Sequence, residues 1–164
     1  MKYTDMVFGN ETEAEAFAEC NGMDKDASIE DIARAIASLP YHKDTKRTVI
    51  ITQVRIFLSY PPTHLNTPAL SDRTAYVTGI FKGADCTIVC HGDRINRYKV
   101  KKVANVVDTT GAGDSFVGGF LSKLVLGYDE ATCVDAGHYA ASVVIQAEGA
   151  IYPEVCEYQS ENSS

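Results

Sequence analysis

Five consecutive β-branched residues, Thr48-Val-Ile-Ile-Thr52, constrain the fold of this chain more than any other stretch. Such side chains are stiff at χ1 and suit a pleated surface. A run without polar alternation is the pattern of a strand covered on both faces, so helices are needed above and below it. The neighbouring sequence supplies them. Residues 6–8 read as the end of a short strand, and Asn10 can cap an Ala- and Glu-rich helix over 11–20. Ser28-Ile-Glu-Asp31 resembles a capping box with Asp in place of Glu or Gln. The helix after it sets Ile29, Ile32, Ala33, Ile36 and Leu39 on one face and stops at Pro40. Residues 87–90 and 95–103 flank His91-Gly92-Asp93 as a hairpin. A strand-like approach over 103–107 leads into a turn, and helices over 115–126 and 131–146 follow, the second thick with Ala. Alternating helices and apolar strands predict an α/β layered fold with a mostly parallel sheet.

The bulk numbers narrow the partners. At 164 residues and 45% apolar composition, a single domain with a real core is expected. The net charge of -7 comes with no basic stripe, which argues against nucleic acid as a partner. No apolar run approaches the ~20 residues that span a bilayer, so no membrane association is expected. Met-Lys-Tyr-Thr-Asp leads straight into a folded-looking segment without a signal-peptide pattern. Five cysteines, an odd count without a C-x-x-C pair, disfavour a disulfide framework and a zinc site. Cys86 and Cys90 share a strand face, and buried reduced thiols in a cytoplasmic protein are the reading they support, with the nucleus as a second compartment.

One segment breaks the pattern. Residues 54–82 hold three prolines and no sustained period, and a structureless stretch of that length is unusual inside a compact domain.

The chemistry concentrates in Asp108-Thr-Thr-Gly-Ala-Gly-Asp114-Ser-Phe-Val-Gly-Gly-Phe120. A small-residue turn opening onto a helix aims several free backbone N–H groups in one direction and makes an anion seat. An acid beside such a seat is repelled by the anion unless it has work there, and a general base for a hydroxyl attacking phosphorus is such work. The plainer reading is an ordinary turn with Asp114 as a solvated first-turn acid favoured by the helix dipole. Two details strengthen the first reading. Asp108 and Thr109 add oxygen groups before the turn, and Gly118-Gly119 sits inside the helix, where each glycine costs ~1 kcal/mol against Ala and usually marks close backbone approach. The chain lacks G-x-x-x-x-G-K-[ST] and so has no P-loop.

Asp108-Thr-Thr-Gly-Ala-Gly-Asp114 resembles the C-terminal signature of the ribokinase (PfkB-type) carbohydrate and nucleoside kinases. Phe8-Gly-Asn-Glu-Thr-Glu-Ala14 and Ala136-Gly-His-Tyr-Ala-Ala-Ser142 are more similar to the adenosine kinase branch than to the sugar-specific members. The resemblance covers 1–53 and 83 to about 155, with the motifs in the family's order. It implies a ribokinase-like α/β/α fold and ATP-dependent phosphorylation of the adenosine 5′-hydroxyl to AMP, with adenosine and ATP as partners and a monomer when full length. It also implies roles. Asp114 matches the catalytic base. The backbone N–H groups of Gly111, Ala112, Gly113 and Asp114 match the anion hole. Asn10 and Glu13 match an Asn-x-x-Glu motif that organises Mg²⁺ through water. Asp108, Thr109, Thr110, Thr52 and Gln53 fall near the nucleotide phosphates, and His138 lies on the helix that lines the ATP base pocket. For Asn10 and Glu13 the residues alone favour a helix cap and a solvated acid. For His138 they favour a packed side chain.

Two departures from the family pattern follow. The whole of 1–164 corresponds to about the C-terminal half of a family member, so the fold is expected to be incomplete, with most of the acceptor pocket absent. A sugar kinase and a catalytically inactive fragment therefore stay open beside the adenosine reading. The 54–82 segment separates Thr52-Gln53 from Gly83, which joined would give the family's Thr-Gln-Gly turn. It reads as a surface insertion, thermodynamically tolerable at that length, or as a translated intron. A segment opening on Val (a GT codon) and closing on Lys (codon AAG) is compatible with splice-site ends.

Overall fold

The β-branched run is a strand, and both its faces are covered. In the computed structural model, which describes residues 1–24, 26–53 and 86–159, the chain runs β1 (Met6–Asn10), α1 (Glu11–Cys20), α2 (Ile29–Ser38), β2 (Thr48–Gln53), β3 (Cys86–His91), β4 (Arg94–Lys99), α3 (Ala112–Leu124) and α4 (Glu130–Val144). Val49 and Ile51 of β2 join Ile88 and Cys90 of β3 in a core with α1 and α2, among them Ala14, Ala18, Ile32, Ala33 and Ile36. Ile50 and Val89, pointing the other way, join Phe116 and Phe120 of α3 and Cys133 and Val134 of α4. Period-2 alternation in two buried strands thus builds two cores and three layers. The segment 54–82 and the turn at Gly83 fall outside the described residues.

The sheet corrects one expectation. Its order is β1-β2-β3-β4, with β1 and β2 parallel, but β2 with β3 and β3 with β4 antiparallel. The described sheet is therefore mixed, not mostly parallel. The β3–β4 hairpin turns at Gly92, whose φ of 64° lies in the left-handed region that favours glycine. β4 stops at Lys99 rather than running to residue 103, and 103–107 forms no strand. Instead the Val107 N–H donates to the Ile145 carbonyl just beyond α4 at 2.7 Å, so that stretch is anchored to a helix end instead of a sheet edge.

Helix ends follow their local chemistry. Asn10 Oδ1 accepts from the Glu13 N–H at 2.9 Å while Glu13 Oε2 accepts from the Asn10 N–H at 2.8 Å, a complete capping box. At α2 Ser28 Oγ accepts from the Asp31 N–H, and its hydroxyl donates to the Asp31 carboxylate at 2.6 Å, so the acid takes the cap's side chain and not its backbone. Asp129 caps α4 through the Thr132 N–H at 2.7 Å. The C-terminal end of α2 is served by Arg47, which is fully buried. Its guanidinium donates to the carbonyls of Ile36 (2.8 Å), Leu39 (3.2 Å), Pro40 (3.3 Å), Thr4 (2.9 Å) and Met1. A delocalised cation with five donors suits a helix end that presents orphan carbonyls and negative dipole charge.

Cys86, Cys90 and Cys133 are buried and unbridged, as expected, but Cys20 and Cys156 are exposed. Burial pushes the Cys90 and Cys133 thiols up. Among the described residues no helix is long and apolar enough to cross a membrane.

Candidate active site

Helix α3 starts three residues earlier than its sequence pattern suggests, at Ala112, so Asp114 lies in its first turn. The turn is held by residues on both sides. Asp108 Oδ1 accepts from the Thr110 N–H at 2.9 Å and the Thr110 hydroxyl at 2.8 Å, and Asp108 Oδ2 accepts from the Gly149 N–H at 2.9 Å. Those bonds, the Thr110 N–H first, hold the Asp108 carboxyl below the usual carboxylate range. Gly111 is the N-cap at φ 78°, where a Cβ would stand 3.0 Å from the Ala150 methyl, so both backbone and space require glycine. The Ala112 N–H donates to the Thr109 carbonyl at 3.2 Å. Ser115 is the first N–H to reach back into the turn's Gly111 carbonyl, at 2.9 Å. Among the described hydrogen bonds, the N–H groups of Gly113 and Asp114 have no acceptor. They are the donors that a helix start leaves for an anion. No atom lies within 4 Å of the position a Gly113 Cβ would take, so the backbone there is open to close approach.

Two adjoining cavities meet this turn. The smaller, about 210 Å³, is lined by Gly9, Asn10, Glu13, Thr52, Gly113 and Asp114 with Phe8, Ile50, Phe116 and Val117. The larger, about 580 Å³, shares Asn10, Thr52, Gly113 and Phe116 with it and extends past Thr109, Ala112, Thr87, His138, Ser142 and Tyr139. Parallel pairing of β1 with β2 sets Asn10 opposite Thr52 at the strands' C-terminal ends, and the α3 start stands over them. This is where ligands bind in open α/β sheets, outside the carboxyl ends of parallel strands.

The structure brings Asn10, Glu13, Thr52, Thr109, Ala112, Gly113, Asp114 and His138 to these two cavities. Asp108, Thr110 and Gly111 shape the turn from outside the lining. Gln53 also lies outside it: its Oε1 accepts from the Cys86 thiol at 3.1 Å across the β2–β3 pair, because side chains alternate and Thr52 takes the cavity side. His138 is fixed by Thr87 Oγ1 at 2.8 Å from Nε2, and burial pushes its pKa down to about 4. Thr87, fully buried, escaped the sequence reading. The available signal was a lone hydroxyl inside the apolar run 86–90.

The oxygen donors suit a hard cation such as Mg²⁺ only in part. Glu13 Oε2 and Asn10 Oδ1 are already committed to the capping box, which leaves the second carboxylate oxygen of Glu13, a lining residue of the smaller cavity, outside that pair. Among the described residues no three His, Cys, Asp or Glu side chains gather as a metal set. A single carboxylate oxygen fits a Mg²⁺ that keeps most of its waters and takes further oxygens from substrate phosphates.

Comparison with known proteins finds relatives over most of this chain. A family model described as pfkB family carbohydrate kinase matches residues 73–155. Adenosine kinase 1 of Arabidopsis thaliana is 39% identical over 157 residues, 94% of this chain and 37% of the relative. Adenosine kinase from Schistosoma mansoni, solved in complex with 2-fluoroadenosine, superposes with a TM-score of 0.68 at 28% identity, over 91% of this chain and 36% of that one. The Anopheles gambiae adenosine kinase, solved in complex with P1,P4-di(adenosine-5) tetraphosphate, gives a TM-score of 0.64 at 34% identity over 88% and 35%. The chain thus spans about 37% of the length of the Arabidopsis thaliana adenosine kinases it matches, and it corresponds to their C-terminal region.

Proposed function

Because the chain belongs to the pfkB family of carbohydrate kinases, we propose that it is the nucleotide-binding, proton-accepting part of an ATP-dependent adenosine kinase that yields AMP. The observation that carries this reading is the placement of Asp114 and the open N–H groups of α3 on one small cavity with Asn10, Glu13 and Thr52, continuous with a larger cavity. Adenosine, rather than a sugar, is favoured by the adenosine kinases among the relatives and by the 2-fluoroadenosine and P1,P4-di(adenosine-5) tetraphosphate bound in the two solved structures.

The mechanism is direct in-line transfer. The nucleotide lies in the larger cavity with its terminal phosphate at the α3 start. The Gly113 and Asp114 N–H groups then donate to phosphoryl oxygens whose negative charge grows in the transition state, and the helix dipole points the same way. Asp114, exposed at the cavity surface, accepts the proton of the attacking 5′-hydroxyl as oxygen closes on phosphorus. Thr52 can donate its hydroxyl to the same phosphates. Mg²⁺, held through water by Glu13 while the Asn10 N–H fixes that carboxylate, would supply neutralising charge to the phosphate chain. The Asp108 carboxylate keeps the turn in shape without touching the reaction.

The test is AMP formation from adenosine, ATP and Mg²⁺. It should be run on the chain and on the chain completed with the preceding region of an Arabidopsis relative, with Asp114→Ala compared in each. We expect the substitution to cut turnover by about 10²–10⁴ while ATP affinity stays within about twofold. Parental turnover in that variant would sink the assignment. ATP binding by the chain without turnover in either form would leave nucleotide binding standing and remove the catalytic half of the proposal.

A further inference from the structure

The larger cavity has two chemically different ends. At one, Ala112 and Gly113 of the α3 start and Ile145 just beyond α4 line it together. Ten residues back along α4 from Ile145, about 15 Å at 1.5 Å per residue, the lining reaches Asp135, which pairs with Lys101, and Tyr158, with Tyr139 between the two ends. That length accommodates a phosphate chain, a sugar and a base laid end to end. Tyr158 comes from the segment after α4 and lies beyond residue 155, where the family match stops. It is nevertheless firmly placed. Its hydroxyl donates to Asp135 Oδ2 at 3.0 Å, and the Lys123 ammonium sits 4.8 Å from its ring centroid. The Tyr139 ring meets it at 5.3 Å and 57°, and the Tyr139 hydroxyl accepts from the Glu157 N–H at 3.1 Å. Lys123 is not part of the lining, so the cation holds the ring from outside the cavity.

We propose that Tyr158 is the aromatic wall of the base end, and that this site selects a nucleotide carrying a planar base over a bare polyphosphate. The inference rests on the nucleotide reading above and adds to it a residue outside the family match. A tyrosine fixed through its hydroxyl and by a neighbouring cation is a preorganised stacking surface with little side-chain freedom left to lose on binding.

Calorimetric titration of the 164-residue chain with ATP and, separately, inorganic tripolyphosphate tests it. Tyr158→Ala is expected to weaken ATP binding about tenfold and to leave tripolyphosphate within about twofold, whereas Tyr158→Phe keeps near-parental ATP affinity. Equal loss for both ligands would make Tyr158 a purely structural strap and overturn the proposal, as would no loss for either. A parent chain that binds tripolyphosphate as well as ATP also overturns it, with the anion seat intact. A parent that binds neither overturns the nucleotide reading itself. Should Tyr158→Ala not fold, Tyr158→Leu, which keeps bulk without aromaticity, carries the same comparison.

Discussion

Adjacent glycines in α3 should respond in opposite directions to the same substitution. Gly118 and Gly119 both sit mid-helix, where replacing glycine with alanine gains about 1 kcal/mol by restricting the unfolded chain and favouring the helix. At Gly118 the added Cβ meets nothing within 4 Å, so the gain is kept, and Gly118→Ala should stabilise by about 0.5–1 kcal/mol. At Gly119 it would stand 2.4 Å from the Ala136 carbonyl oxygen and 2.9 Å from the Ala140 Cβ. A carbon–oxygen contact needs roughly 1 Å more, and backbone of α4 cannot rotate away as a side-chain tip could. The helices must separate, which disturbs the neighbouring approach of Gly137 to the Phe116 ring, 2.8 Å from a Cβ built there. Overpacking typically costs about 1–3 kcal/mol, and a 2.4 Å approach to backbone oxygen belongs in the upper half of that range, which outweighs the propensity gain of about 1 kcal/mol and leaves Gly119→Ala destabilised by about 1–2 kcal/mol. For a chain of this size, that separates the two variants by roughly 3–12 °C in melting temperature. Circular dichroism melts at matched concentration read the difference directly. Because α3 carries Asp114 and the anion turn, Gly119→Ala should also weaken ATP binding, and Gly118→Ala should not. If Gly119→Ala melts with or above Gly118→Ala, the close α3–α4 contact is not as described and the reasoning is refuted.

Other outcomes follow from the same structure. His138 is held neutral with a pKa of about 4 against an ordinary 6.5. The unfolded chain therefore takes its proton first, so this contribution is whole above about pH 6.5 and is lost as pH falls through 4, by up to roughly 3 kcal/mol. Urea midpoints should fall between about pH 6.5 and pH 4.5, and His138→Gln should flatten that dependence; an unchanged slope in the variant would remove His138 as its source. Arg47→Met leaves buried carbonyls of α2 and the N-terminal segment without donors and should destabilise by about 3 kcal/mol or more, measured by urea unfolding. Asp108→Ala releases Thr110 and Gly149 from the turn and should weaken ATP binding several-fold with little change in melting temperature; an equal loss of both would assign Asp108 to general stability instead.

Local chemistry was legible because it acts over a few residues. The Asn10 cap, the stop at Pro40, the left-handed turn at Gly92 and the Thr110 bonds of Asp108 depend on near neighbours, and the sequence alone determined them, whereas the reciprocal bond from Glu13 and the Gly149 bond to Asp108 came only with the structure. The two-sided burial of residues 49–51 was equally readable, because an unbroken β-branched run has no face to give to water. Strand direction was not. Whether β3 lies parallel or antiparallel to β2 depends on the path between them and on edges far apart in the chain, to which a local hydrophobic period is blind. For the same reason tertiary structure alone brought Arg47 to the end of α2 and Thr87 to His138, turned Gln53 to Cys86 and Thr52 to the cavity, and carried Tyr158 to its far end. Each of those contacts joins groups whose meeting costs chain entropy that only the assembled core repays, so none leaves a pattern in the residues around it.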